Sequence, residues 1–169
     1  MWQPGFSYQH TEPARLAGRH RAFCMSSIHY RGTSEKPGLV LGLAPGGSCL
    51  GQAFLVPASQ RLETIAYLRA RELVSYVYVE TLVSVQLPAS GNRVHALTYV
   101  ADPNSPQFVG DLDPADQARI IATAHGRSGS NVDYLRRTID EMTKLGLRPG
   151  RLGQLLERVE KILAHPHLE

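Results

Sequence analysis

The sequence predicts an α+β fold built on an antiparallel sheet, and three observations predict it. Before Pro103, short runs rich in Val, Tyr and Thr alternate with Gly- and Pro-containing turns. After Pro103, apolar residues recur at helical spacing. The chain has 169 residues, 43% hydrophobic and 20% charged, which suits one ordinary globular domain and argues against intrinsic disorder. Strands gathered ahead of helices argue against a doubly wound α/β sheet. No internal repeat is evident.

The elements follow in order. His20 to Tyr30 reads as extended, and Arg31 to Gly38 has loop composition. Leu39 to Leu43 is short and apolar. Pro45-Gly46-Gly47 is a turn signal, because Gly supplies the positive φ that tight turns need. Leu50 to Val56 is then the returning strand of a hairpin. Ser59 is the expected N-cap of a helix to about Ala70, with Leu62, Ile65 and Ala66 on one face. Tyr76 to Leu87 reads as a strand, Ala89 to Asn92 as a turn, and Arg93 to Val100 as the pairing partner. Asp113-Pro114 opens a helix with Pro at its first position, broken by Ser128 to Ser130. A second helix runs from about Asn131 to Leu145 and ends at Gly146. A third follows Pro149, with Leu152, Leu155, Leu156, Val159, Ile162 and Leu163 as its apolar stripe.

Several function classes are disfavoured. No apolar run approaches the roughly eighteen residues of a membrane span. Residues Met1 to Phe6 carry no basic segment leading into an apolar one, and the two cysteines, Cys24 and Cys49, do not form a disulfide scaffold. A protein of a reducing cytoplasm is the expectation. The seven histidines show no ligand spacing, so no metal site is expected. A net charge of +3, and basic residues clustered at Arg15, Arg19, His20 and Arg21, fall short of what nucleic-acid binding needs. Leu168-Glu169 reads as the scar of an affinity tag, which leaves residues 1–167 as a single domain.

Few residues suggest chemistry by themselves. Ala44 to Ser48 lacks the Gly-Lys-Ser/Thr ending of a phosphate loop. Gly126 to Asn131 precedes a helix, whose N-terminal N–H groups could receive an anion, but Ser130 or Asn131 could equally be a plain cap. Glu72 closes the stretch Tyr67 to Leu73, where the helix gives way to a strand. A carboxylate at such a junction could serve as a general base or pair with a surface cation.

The chain resembles the ChaC-like γ-glutamylcyclotransferases along almost its whole length. The resemblance is carried by Met1 to Phe6, Ala14 to Cys24, His29 to Thr33, Lys36 to Leu43, Arg69 to Glu72, Leu97 to Val100 and Ser128 to Leu135. It implies a small, mostly antiparallel β-barrel with flanking helices. It also implies cleavage of glutathione to 5-oxoproline and cysteinylglycine, with Glu72 as the catalytic residue and Tyr134 contacting the γ-glutamyl group. The substrate's own amine is the nucleophile, so no metal or organic cofactor is required. The partner is then a small γ-glutamyl peptide, not a nucleic acid or a membrane.

The family's sheet begins with a strand ending in Phe-Gly-Tyr-Gly-Ser-Leu-Met-Trp, of which this sequence carries only Met1-Trp2. The absent turn would hold the substrate, so little activity of the chain as it stands is one expectation. Self-association through an exposed sheet edge is another. The alternative reading is a non-catalytic γ-glutamyl-peptide-binding or regulatory protein of the same fold.

Overall fold

A computed structural model of the chain describes residues 4–74 and 77–165. The opening Met1-Trp2, the expected strand start at Tyr76 and the expected tag residues Leu168-Glu169 lie outside them. The α+β class holds, with an antiparallel sheet and, among the described residues, four α-helices. The sheet comprises β1 (His10–Ser27), β2 (Gly38–Leu55), β3 (Tyr78–Gln86) and β4 (Arg93–Ala101) in the order β2-β1-β3-β4. Among the described residues β2 and β4 stand at the two ends of that order, and no closed barrel is detected.

The second hairpin is as expected. β3 and β4 pair antiparallel from Tyr78↔Ala101 to Gln86↔Arg93. Their turn closes through Leu87 N–H on the Asn92 carbonyl (2.8 Å), with Gly91 at φ 72°. β1 runs antiparallel to β3, with Leu16 opposite Val85.

The expected first hairpin is not formed. Leu39 to Leu43 and Leu50 to Val56 are not two strands folded back on each other: β2 runs as one 18-residue strand through Pro45-Gly46-Gly47. Gly46 (φ 90°) and Gly47 (φ 67°) do take the left-handed backbone that the turn signal requires. They use it to bend the strand rather than reverse it. The neighbouring strand holds the bend, through a 3.0 Å hydrogen bond between His20 Nδ1 and the Gly46 carbonyl. β1 correspondingly begins ten residues ahead of the expected His20.

The chain forms two compact units. One comprises Met1–Arg21 and Leu43–Ser105, the other Ala22–Gly42 and Pro106–Glu169. The first holds α1 (Arg61–Glu72), β3 and β4. Ala14, Val85 and Leu87 form one buried cluster in it, with Leu16, Ala53, Val83 and Ala96 against them. α1 starts one residue later than expected. Pro57 opens a single 3₁₀ turn, Ala58–Gln60, that takes in Ser59, so Gln60 becomes the N-cap and makes no side-chain cap bond.

The second unit holds α2 (Pro114–Thr123), α3 (Asn131–Lys144) and α4 (Arg151–Ala164). Asp113 caps α2 by accepting from Ala115 N–H at 2.7 Å, with Pro114 in the first turn as expected. α2 stops at Thr123, earlier than Ser128, because Ala124 turns extended. β5 (His125–Gly126) and β6 (Gly129–Ser130) then form a miniature hairpin leading into α3. Gly146, at φ 70°, ends α3. Leu152, Leu155 and Val159 of α4 are buried with Phe23, Leu39, Ile121 and Leu135, and Leu156 and Ile162 pack against them, so the stripe is core except for Leu163, which is exposed. Cys24 and Cys49 are free and buried, and burial pushes the Cys24 thiol up to about 11.

Candidate active site

Glu72 is the last residue of α1, which closes with Leu73 N–H on the Arg69 carbonyl at 3.0 Å. Its side chain is 23% exposed, and Oε1 accepts from Arg71 Nε at 2.9 Å. The same guanidinium donates to the Pro4 carbonyl (2.8 Å) and to the Tyr67 hydroxyl (3.1 Å). It also stands 5.5 Å from the centroid of the Tyr67 ring. Tyr67 and Arg71 are four apart on α1 and therefore share a face. Gly5, at φ 72°, lies so close that a Cβ there would strike the Tyr67 hydroxyl. Arg71 is thus held from several sides, and through it the Glu72 carboxylate keeps a fixed orientation while staying open to a solute.

Three residues earlier on the helix, Arg69 pairs with a different carboxylate. Its Nε and a terminal nitrogen donate to the two Glu80 oxygens at 2.8 and 2.6 Å, a two-point contact. Tyr99 stands opposite Glu80 in the β3–β4 register, and its hydroxyl donates to Glu80 Oε2 at 3.0 Å. The hydrogen bond from Arg69 holds the Glu80 carboxyl below the usual carboxylate range. Tyr99 is pushed up to about 12, first by burial and then by its bond to Glu80, with the charge on Glu72 contributing. Its phenol is therefore a donor at any working pH.

Tyr134 lies in the first turn of α3, in the second unit. It is half-buried, edge-on to Phe23 at 5.8 Å, with the Arg31 guanidinium 5.0 Å from its ring centroid. Its hydroxyl accepts a long hydrogen bond, 3.4 Å, from Leu41 N–H. Burial lowers the Arg31 pKa from its ordinary value, and that guanidinium also donates to the Ser128 carbonyl. Just ahead of Tyr134, Ser130 caps α3 by accepting from Asp133 N–H at 3.1 Å. Ser130 is thus the cap that one of the two readings of Gly126 to Asn131 expected. Asn131 is fully buried and clasps Leu39 instead, accepting from its N–H (2.6 Å) and donating to its carbonyl (2.7 Å).

Glu72 and Tyr134, the two residues that the sequence singled out, fall in different units. A concavity of about 600 Å³ in the second unit is lined by His29, Tyr30, Thr33, His125 and Arg127 among others, and by neither of those two. Sequence reasoning did not reach Glu80 and Tyr99, whose meeting depends on strand register. The hold on Arg71 was half visible, as an arginine beside Glu72 with a tyrosine one turn back. Among the described residues no group of three or more His, Cys, Asp or Glu is placed to hold a metal, and no helix is long and apolar enough to cross a membrane.

A family model described as ChaC-like protein matches residues 1–162. The chain is 34% identical to the glutathione-specific γ-glutamylcyclotransferase of Escherichia coli over 164 residues, covering 97% of this chain and 71% of that protein. It is also 34% identical to glutathione-specific γ-glutamylcyclotransferase 1 of Danio rerio, over 84% of this chain and 74% of that protein. In fold it is similar to the crystal structure of the yeast γ-glutamylcyclotransferase specific to glutathione. The TM-score is 0.81 at 24% identity, over 95% of this chain and 91% of the yeast chain.

Proposed function

The chain belongs to the ChaC-like family, and from that membership we propose that it is a γ-glutamylcyclotransferase that cleaves glutathione to 5-oxoproline and cysteinylglycine, with Glu72 as its acid–base residue. The observation that carries the substrate is the 34% identity to glutathione-specific enzymes of bacterial and animal origin. The role of Glu72 is supported by its orientation: a partly exposed carboxylate, fixed by Arg71 at the end of a helix.

The reaction needs little beyond positioning and proton transfer. The substrate's α-amine attacks its own γ-carbonyl carbon and closes a five-membered ring. A new C–N bond forms, and the amide bond to cysteinylglycine breaks. Because nucleophile and electrophile belong to one molecule, holding the chain folded supplies much of the acceleration. An α-amine with a pKa of about 7.7–8.0 is mostly protonated at neutral pH. Glu72 removes that proton, which passes to solvent; it then takes the proton that the attacking nitrogen sheds as the new C–N bond forms and delivers it to the departing nitrogen, which leaves as a neutral amine. Tyr134 contacts the γ-glutamyl group in this proposal. Cytoplasmic residence belongs to it as well, supported by two cysteines that are free of disulfide.

Glu72→Gln keeps the size of the side chain and removes its basicity. In a version carrying the family's upstream Tyr-Gly-Ser-Leu turn, release of 5-oxoproline from glutathione by this variant is expected to fall at least about a hundredfold below the same version with Glu72, the usual scale of general-base removal. Near-parental turnover by the variant would exclude Glu72 from the mechanism.

A further inference from the structure

We infer that Glu80 is a positioning residue, which occupies the guanidinium of Arg69 and so leaves Glu72 facing one arginine rather than two. The inference rests on Glu72 being the acid–base residue of the proposed reaction.

Arg69 and Glu72 are three apart on α1, the spacing at which side chains on one face of a helix meet. Arg71, the resident partner of Glu72, is tied to Pro4 and Tyr67 and cannot easily be exchanged. Arg69 has no such ties to its own helix in the contacts described above, and its two-point contact is to Glu80 on β3. The hydroxyl of Tyr99 fixes the Glu80 carboxylate in that pose from β4. A second guanidinium turned toward Glu72 would hold that carboxylate more firmly ionised. A weaker base accepts the substrate's proton less readily. Glu80 thus balances the charge of Arg69 at a distance from the reacting carboxylate.

Among the described residues, the charged and titratable groups tied to Glu72 or to the Arg69–Glu80 pair in the contacts above are Arg69, Arg71 and Tyr67 on α1, Glu80 on β3 and Tyr99 on β4. Arg69, Arg71 and Tyr99 are all shifted upward and keep their charge states through the acid range. The acid limb of activity should therefore report Glu72 and feel the balance between Arg69 and Glu80.

The test is the pH dependence of kcat/KM for 5-oxoproline release from glutathione by the full chain. Glu80→Gln leaves Arg69 uncompensated, and its acid limb is expected to move to lower pH by about half a pH unit. Arg69→Gln leaves Glu80 uncompensated, and its limb is expected to move to higher pH by a similar amount. The double variant should return close to the parent profile, because the two opposite charges have left together. Arg69→Lys keeps the charge and should keep the limb. If Glu80→Gln does not fold, the contrast between Arg69→Gln and Arg69→Lys decides. Limbs that stay in place, or that move in the same direction in both single variants, would overturn the inference. A Tyr99→Phe shift as large as the charge variants' would also overturn it, by pointing to packing instead of charge. Loss of activity in Glu72→Gln together with unmoved limbs would remove Glu80 alone. Retained activity in Glu72→Gln would remove both readings.

Discussion

Asn131 has no exposed surface, yet its side chain is polar throughout. It is tolerated because both ends of the amide are satisfied by the Leu39 backbone, much as a neighbouring strand would satisfy them. Asn131→Ala would strand a buried N–H and a buried carbonyl on Leu39. Each unsatisfied group costs about 1–3 kcal/mol. A clear drop in midpoint is therefore expected in urea unfolding, and an unchanged midpoint would mean that water takes the place of the amide. The sequence offered Asn131 as an alternative cap beside Ser130, and only the fold separates the two roles. The cap bond is local, three residues along the chain, whereas the clasp reaches 92 residues back. The same distinction governs the site. Arg71 beside Glu72 was legible, but Glu80 against Arg69 was not, since that contact depends on how β3 lies beside α1.

At the scale of elements, the best-read parts are those whose signals are local. α2 begins where Asp113-Pro114 says it should, because the cap carboxylate and the proline both act within one turn. Asp113→Ala is expected to cost about 1 kcal/mol by losing the bond to Ala115 N–H. Chemical denaturation of the two proteins measures this, and a difference near zero would mean that Pro114 alone starts the helix. The β3–β4 hairpin was legible for the same reason, with alternating residues on either side of a Gly-containing turn. β2 was misread because Pro45-Gly46-Gly47 specifies a left-handed backbone without specifying the direction taken by the chain that follows. Bend and reversal both use positive φ at glycine. The 3.0 Å contact of His20 with Gly46 comes from the adjacent strand, which no window around the glycines contains.

Among the described residues the two units bury apolar side chains unequally. One cluster of the first unit centres on Ala14, Val85 and Leu87, while β3 and α1 leave Leu82 and Leu62 at 66% and 75% exposure. In the second unit Ile121, Leu135 and Val159, one from each of α2, α3 and α4, have no exposed surface, and Phe23 and Leu39 join them. Cores of this kind lose about 2–5 kcal/mol when a Leu is cut to Ala, because the cavity adds to the lost transfer energy. Leu135→Ala is expected to fall in that range. Backbone groups behind many buried apolar contacts open only with global unfolding, and those behind few open locally. In native-state hydrogen exchange the slowest amides should therefore lie in the middle of α2, α3 and α4. Those of α1 should exchange sooner, since its only buried side chains are Thr64 and Leu68. Leu135→Ala should then bring the slowest amides down by the full loss of stability while moving those of α1 little. Equal slowing in both units, with α1 following Leu135→Ala as closely as α3 does, would show that the chain opens only as a whole.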